Sequence, residues 1–315
     1  MNKLTKIGLT ALAGSLIAGS ASAGDLSATG AASMTFSGGD DKKTTGQGWS
    51  MGDSVTFSGS GDVNGIDVTL SIELDGDGAD GTNQLDSHSI KFGLGDMGTL
   101  TFAGHGGSSA LGMKDDVMPT ASQEPWDVVT GAEADLIGGG GGNNNFLYTY
   151  AHDSGVTVNA SYTNAADAVT DVSYSDIGIE YTGVDGLVVG YAQGDVETTT
   201  NTKKEQHTMY AKYTMGPISV GIQTSENDQT GTTNDRDTTG MGISYAVSDE
   251  LSVSYGISTV EHENTSKEDQ DAQAISFSYV SGGMTISGSA SSVDNVGGTS
   301  SVDNEGYELN VTFAF

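Results

Sequence analysis

Alternation with a period of two limits this chain more than any other feature. It is clearest in the last ten residues, where Tyr307, Leu309, Val311, Phe313 and Phe315 alternate with Glu308, Asn310, Thr312 and Ala314. Successive side chains of a strand point to opposite faces, so this segment has one greasy face and one wet face. Ile66, Val68, Leu70, Ile72 and Leu74 repeat the pattern against Asp67, Thr69, Ser71 and Glu73. So do Phe146, Tyr148 and Tyr150, then Met209, Ala211 and Tyr213, and then Ile275, Phe277 and Tyr279. Counted through the chain, the pattern gives sixteen strands. Modest hydrophobicity and high charge would otherwise suit a disordered chain; regular alternation argues against that.

The connections alternate too. Short turns fall at 61–65, 95–98, 152–155, 183–186, 215–217, 247–250 and 281–283. Longer polar stretches fall at 38–48, 75–86, 104–145, 163–175, 193–206, 224–238, 260–272 and 292–305. A β-sandwich has no reason to place short links on one side and long ones on the other, whereas a membrane barrel does. No apolar run reaches the roughly 20 residues of a helical span. A membrane-crossing chain of this kind must therefore close its strands into a barrel, which satisfies every backbone group.

The N-terminus reads as a secretory signal peptide over residues 1–23. Lys3 and Lys6 form a basic start, a short apolar stretch follows, and Ala21-Ser22-Ala23 is a small-residue cleavage site. Residues 24–315 then form one barrel domain. Removing the leader takes away two of the 11 basic residues and none of the 42 acids, so the mature chain is more negative than the full-length −31. Such a chain repels nucleic acid and draws cations. It has no cysteine, which excludes disulfides and thiolate metal sites.

Other motifs give little chemistry. Asp75-Gly76-Asp77-Gly78-Ala79-Asp80 has the look of a calcium loop but lacks the EF-hand ligand and glycine positions. Asp75, Asp77 and Asp80 stay as candidates for weakly bound calcium. The five histidines lack zinc-ligand spacing. The glycine run 138–142 is not followed by a Lys-Ser/Thr pair, so it is no phosphate cradle and reads as a flexible return. No nucleophile–base pairing is recognisable, and an enzyme is not expected.

The leader, the even strand count, the terminal Phe315 and the block Phe92-Gly93-Leu94-Gly95-Asp96-Met97-Gly98-Thr99-Leu100-Thr101-Phe102 together resemble the general diffusion porins of Gram-negative bacteria. The likeness is greatest to the 16-stranded trimeric porins of the alphaproteobacterial type. The resemblance implies a 16-stranded antiparallel transmembrane β-barrel with a long third loop, 105–145, folded into the pore. It implies an outer-membrane homotrimer, delivered through the outer-membrane insertion machinery with Phe315 as assembly signal. Lipids surround it, small hydrophilic solutes and ions pass through it, and no cofactor is needed. The third-loop acids Asp115, Asp116, Glu124, Asp127, Glu133 and Asp135 would narrow the pore, with Trp126 anchoring the loop. From the alternation, Asp67, Glu73, Glu180 and Glu308 face inward against Lys91 and Lys212, so the pore is expected to prefer cations. Such porins set arginines opposite the loop acids. The only arginine here, Arg236, is expected in an outer loop. The rival reading is an acidic secreted or surface β protein, calcium-binding or adhesive, without transport. It lacks nonapeptide repeats and leaves the terminal aromatic strand unexplained.

Overall fold

The computed structural model describes residues 24–40, 48–76, 85–134, 141–164, 173–197, 203–229 and 235–315. The expected leader, Asp77, Asp80, Asp135 and residues 138–140 lie outside the described residues.

Sixteen strands are formed. The first four are β1 (Leu26–Gly39), β2 (Gly48–Val63), β3 (Ile66–Asp75) and β4 (Leu85–Gly93). Next come β5 (Thr99–His105), β6 (Asn145–Ala151), β7 (Val156–Thr163) and β8 (Ser173–Val184). They are followed by β9 (Leu187–Glu197), β10 (Lys203–Met215), β11 (Ile218–Gln229) and β12 (Arg236–Ala246). The last are β13 (Leu251–His262), β14 (Gln270–Ser281), β15 (Met284–Asp294) and β16 (Asn304–Ala314). Each pairs antiparallel with its chain neighbours, and β16 returns to β1, so the barrel is closed and has no free edge.

The seam runs from Ala31 opposite Ala314 to Gly39 opposite Gly306. Phe315 extends it by exchanging backbone hydrogen bonds with Gly30, at 2.7 and 2.9 Å. Its ring covers Gly30, where a Cβ would stand 2.7 Å from the ring edge. A side chain there would have to displace the terminal ring. At the same end of the barrel, Asn64 and Gly65 join β2 to β3 with φ of 57° and 83°, the geometry of a two-residue hairpin turn.

The apolar alternates point outward. Ile177, Ile179, Met209, Ile222, Ile243 and Ile275 are 42–61% exposed, although a water-soluble sheet would bury such a face. The polar alternates point into the barrel. Thr208, Gln223, Ser225 and Gln270 are at most 1% exposed. This inversion is what a lipid exterior and a wet interior demand.

From β8 onward the strands run further than their apolar patterns. In β11, outward Ile218, Val220 and Ile222 give way to outward Thr224, Glu226 and Asp228 within the same strand. Hydrophobicity marks only the band that meets lipid, and hydrogen-bonded pairing continues above it. Several stretches expected as loops, such as 224–229 and 236–238, are therefore strand ends. Arg236 is one correction that follows: it opens β12 instead of lying in an outer loop.

Candidate functional site

The longest connection joins β5 to β6, and it lies along the polar inner wall. Its hydrogen bonds step round the barrel in order. The Ala110 amide donates to Ser161 Oγ on β7 (2.8 Å), and the Val117 amide to Gln223 Oε1 on β11 (3.3 Å). The Ala121 amide donates to Ser254 Oγ on β13 (2.9 Å), and the Ser122 amide to Ser276 Oγ on β14 (3.2 Å). The Gln123 amide donates to Ser289 Oγ on β15 (3.3 Å), and Gln123 Nε2 to Glu308 Oε1 on β16 (3.0 Å). Every acceptor sits at an inward alternate of its strand. The loop thus satisfies its own amides with the hydroxyls and amides that the wet face supplies.

Apolar contacts fix it further. Leu111 packs on Ala192 of β9, and both are fully buried. Val129 packs with Ala272 of β14, Val293 of β15 and Val296. Pro119 lies against Gly221 and Gly242, Pro125 against Gly256, and the Val128 carbonyl against Gly306. These glycines replace inward side chains where the loop comes closest. Trp126 is buried. The described end of the glycine run is held rather than loose: Gly142 exchanges backbone hydrogen bonds with Gly107 at 2.7 and 2.9 Å.

Two charge clusters tie loop to wall. Lys114, 4% exposed, reaches Glu180 of β8 at 3.4 Å, and Glu180 also accepts a hydrogen bond from Tyr210 of β10. Further along, Glu133 meets Arg236 of β12 at 2.6 Å and Lys267 at 3.0 Å, with His262 of β13 at 3.5 Å. Burial opposes the Glu133 charge, but the hydrogen bonds from Arg236 and Lys267 outweigh it and hold its pKa below the ordinary value. Asp127 goes the other way. Burial raises its pKa, the Glu124 amide bond (2.7 Å) lowers it, and nearby Glu308 raises it again.

The remaining expected residues are distributed as follows. Asp115 is half-buried and Asp116 exposed, with Asp115 Oδ1 accepting from the Asp116 amide (3.1 Å). Glu124 is buried. Asp67, Glu73 and Lys91 lie on β3 and β4, eight strands round from β11 and β12, so they occupy the wall opposite the loop. Glu73 accepts from Ser87 Oγ at 3.2 Å. Asp75 ends β3. The expectation that Lys91 and Lys212 are the only wall bases is corrected: Lys204 and Arg236 also occupy inward alternates. The docking positions carry a signal in the sequence. Inward Ala192, Val260, Ala272 and Val293 break the polar side of the alternation. Among the described residues, no group of three or more His, Asp or Glu side chains is arranged to hold a metal ion.

A family model described as Gram-negative porin matches residues 8–280. A comparison with curated protein sequences finds no match. Solved structures with this fold include an anion-selective porin from Comamonas acidovorans, at 15% identity and a TM-score of 0.74, covering 93% of this chain and 100% of that one. The trimer form of OmpT, an outer membrane protein of Vibrio cholerae, is similar at 14% identity and a TM-score of 0.71, covering 93% and 100%. A mutant of the Rhodopseudomonas blastica porin follows at 15% identity and a TM-score of 0.67, covering 92% and 100%.

Proposed function

The chain belongs to the Gram-negative porin family, and from that premise we propose that it is an outer-membrane channel through which small hydrophilic solutes and ions diffuse passively. One observation carries this reading: a closed sixteen-strand barrel, apolar outside and polar inside, is crossed on its inner wall by the β5–β6 loop. Such a wall passes water and solutes without chemistry, and the loop sets the narrowest section. A calcium-loaded β-roll has no place in this closed antiparallel barrel. Residues 1–23 are the cleaved leader, residues 24–315 the barrel, and 105–145 the constriction segment. Phe315, locked to Gly30 at the seam, is the signal read by the insertion machinery. A homotrimer in outer-membrane lipid is the proposed assembly, since a similar Vibrio cholerae structure is described in a trimer form.

The proposed selectivity is for cations. A similar Comamonas acidovorans structure is named anion-selective, so the fold does not decide the sign. Side chains do. Asp115, Asp116, Glu124, Asp127 and Asp135 belong to the loop, and Asp67 and Glu73 stand opposite with Lys91. Glu133 contributes less, because its charge is already balanced by Arg236 and Lys267. Acids lining a confined passage raise the local cation concentration. The channel reading is tested by liposome swelling with neutral sugars. Proteoliposomes that admit small sugars and exclude large oligosaccharides support it; vesicles that stay sealed with folded, heat-modifiable protein overturn it.

A further inference from the structure

We infer that the inner wall at the long-loop end of β10–β13 carries a binding site for a small oxyanion, a phosphate or a short carboxylate. A cavity of about 260 Å³ lies there, lined by Lys204, Arg236, His262 and Lys267 with Asn227, Gln229 and Asn264. The chain holds only 11 lysines and arginines against 42 acids, yet three of them converge on this cavity. No acid lines it.

Glu133 balances part of this charge, through Arg236 Nη1 and Lys267 Nζ. Lys204 has no ion pair with any described carboxylate, so positive charge is left over. Hydrogen bonding is incomplete as well. Among the described residues, Arg236 Nε is buried with no hydrogen-bond partner, and His262 Nε2, on a side chain 2% exposed, faces Glu133 Oε2 at 3.5 Å without forming a hydrogen bond. Buried polar groups are ordinarily satisfied, and an unmet guanidinium N–H beside surplus positive charge calls for an anionic acceptor. A guanidinium fork with two ammonium groups suits phosphate or carboxylate oxygens.

The neighbouring cavity sharpens the assignment. Arg236 and His262 also line a second space, whose other lining residues are Asp228, Asp235, Asp237, Glu261 and Glu263, with Asp228, Asp237 and Glu261 on outward alternates of the same strand ends. An anion is repelled there and held only on the inner side. The site therefore sits in a wall whose charge reverses across one strand layer. The channel reading supplies the route by which the anion arrives; binding itself needs no conduction.

The test is titration calorimetry on the detergent-folded protein, with inorganic phosphate and with succinate as separate probes. Lys204→Gln is the informative variant, because Lys204 does not touch Glu133 and its loss leaves the loop tethered. Lys203→Gln is the control, since Lys203 is held by Asp195 and Glu205 instead. Saturable binding of at least one probe is expected. Lys204→Gln should weaken it about tenfold, the worth of one charged hydrogen bond. Lys203→Gln should change it by less than about twofold, as a screened neighbouring charge does. Saturable binding with neither probe overturns the site, and so does equal weakening by both variants. Heat-modifiable mobility checks that each variant is folded. Conductance plays no part in the readout, so this result and the channel test succeed or fail separately.

Discussion

The Glu133 carboxylate accepts hydrogen bonds from Arg236, at the start of β12, and from Lys267, between β13 and β14. One loop acid thus joins the returning limb of the β5–β6 segment to two parts of the wall. Its pKa is lower in the folded protein than the ordinary 4.5. The stabilisation is therefore complete above 4.5 and is lost as pH falls through the depressed folded value. Charged hydrogen bonds of this kind are worth about 1.5–3 kcal/mol each. Glu133→Gln should speed proteolytic cleavage of the loop at neutral pH, with wild type approaching the variant only well below pH 4.5. Equal cleavage rates at neutral pH would show that the loop is held by its other contacts. Asp127 should behave oppositely. Its raised pKa means that ionisation opposes the folded state above the ordinary value, and protonation relieves it as pH falls. Asp127→Asn keeps an oxygen for the Glu124 amide, so melting at neutral pH should be unchanged or slightly higher. A clear drop would mean that the carboxylate charge itself is needed.

At the scale of elements, the loop and β16 approach so closely that a Cβ on Gly306 would stand 2.3 Å from the Val128 carbonyl. Gly306→Ala should push the loop off β16 and raise single-channel conductance, while the barrel keeps its heat-modifiable mobility. Unchanged conductance would place the narrowest section away from this contact. At the other end of β16, deleting Phe315 removes the pairing with Gly30 and the proposed insertion signal. Protease-sensitive periplasmic chain should accumulate, and normal amounts of folded barrel would contradict that role. The sequence made the sixteen strands legible because outward apolar alternates such as Ile218, Val220 and Ile222 repeat wherever lipid must be met. It hid the strand ends beyond that band, since Thr224, Glu226 and Asp228 are polar and read as loop. Arg236 reads as loop for that reason, and the basic cluster around Glu133 is invisible with it. Lys114 was equally hidden: nothing local in a loop lysine tells that it will be buried against Glu180.

For the whole molecule, two properties are separable. The barrel follows from backbone pairing and the outward apolar band, and it is shared with structures only 13–16% identical. Selectivity follows from this chain's own charges, a formal −31 that no barrel geometry dictates. The most direct measurement is the zero-current potential of the purified protein in a planar bilayer under a KCl gradient. Discrete conductance steps with a potential of the cation-selective sign are expected. Asp115, Asp116 and Asp127 replaced together by asparagine should move it toward zero, and higher salt should do the same by screening over about 10 Å at 0.1 M. An anion-selective sign in the native protein, or no conductance from folded protein, would contradict a cation-preferring aqueous channel.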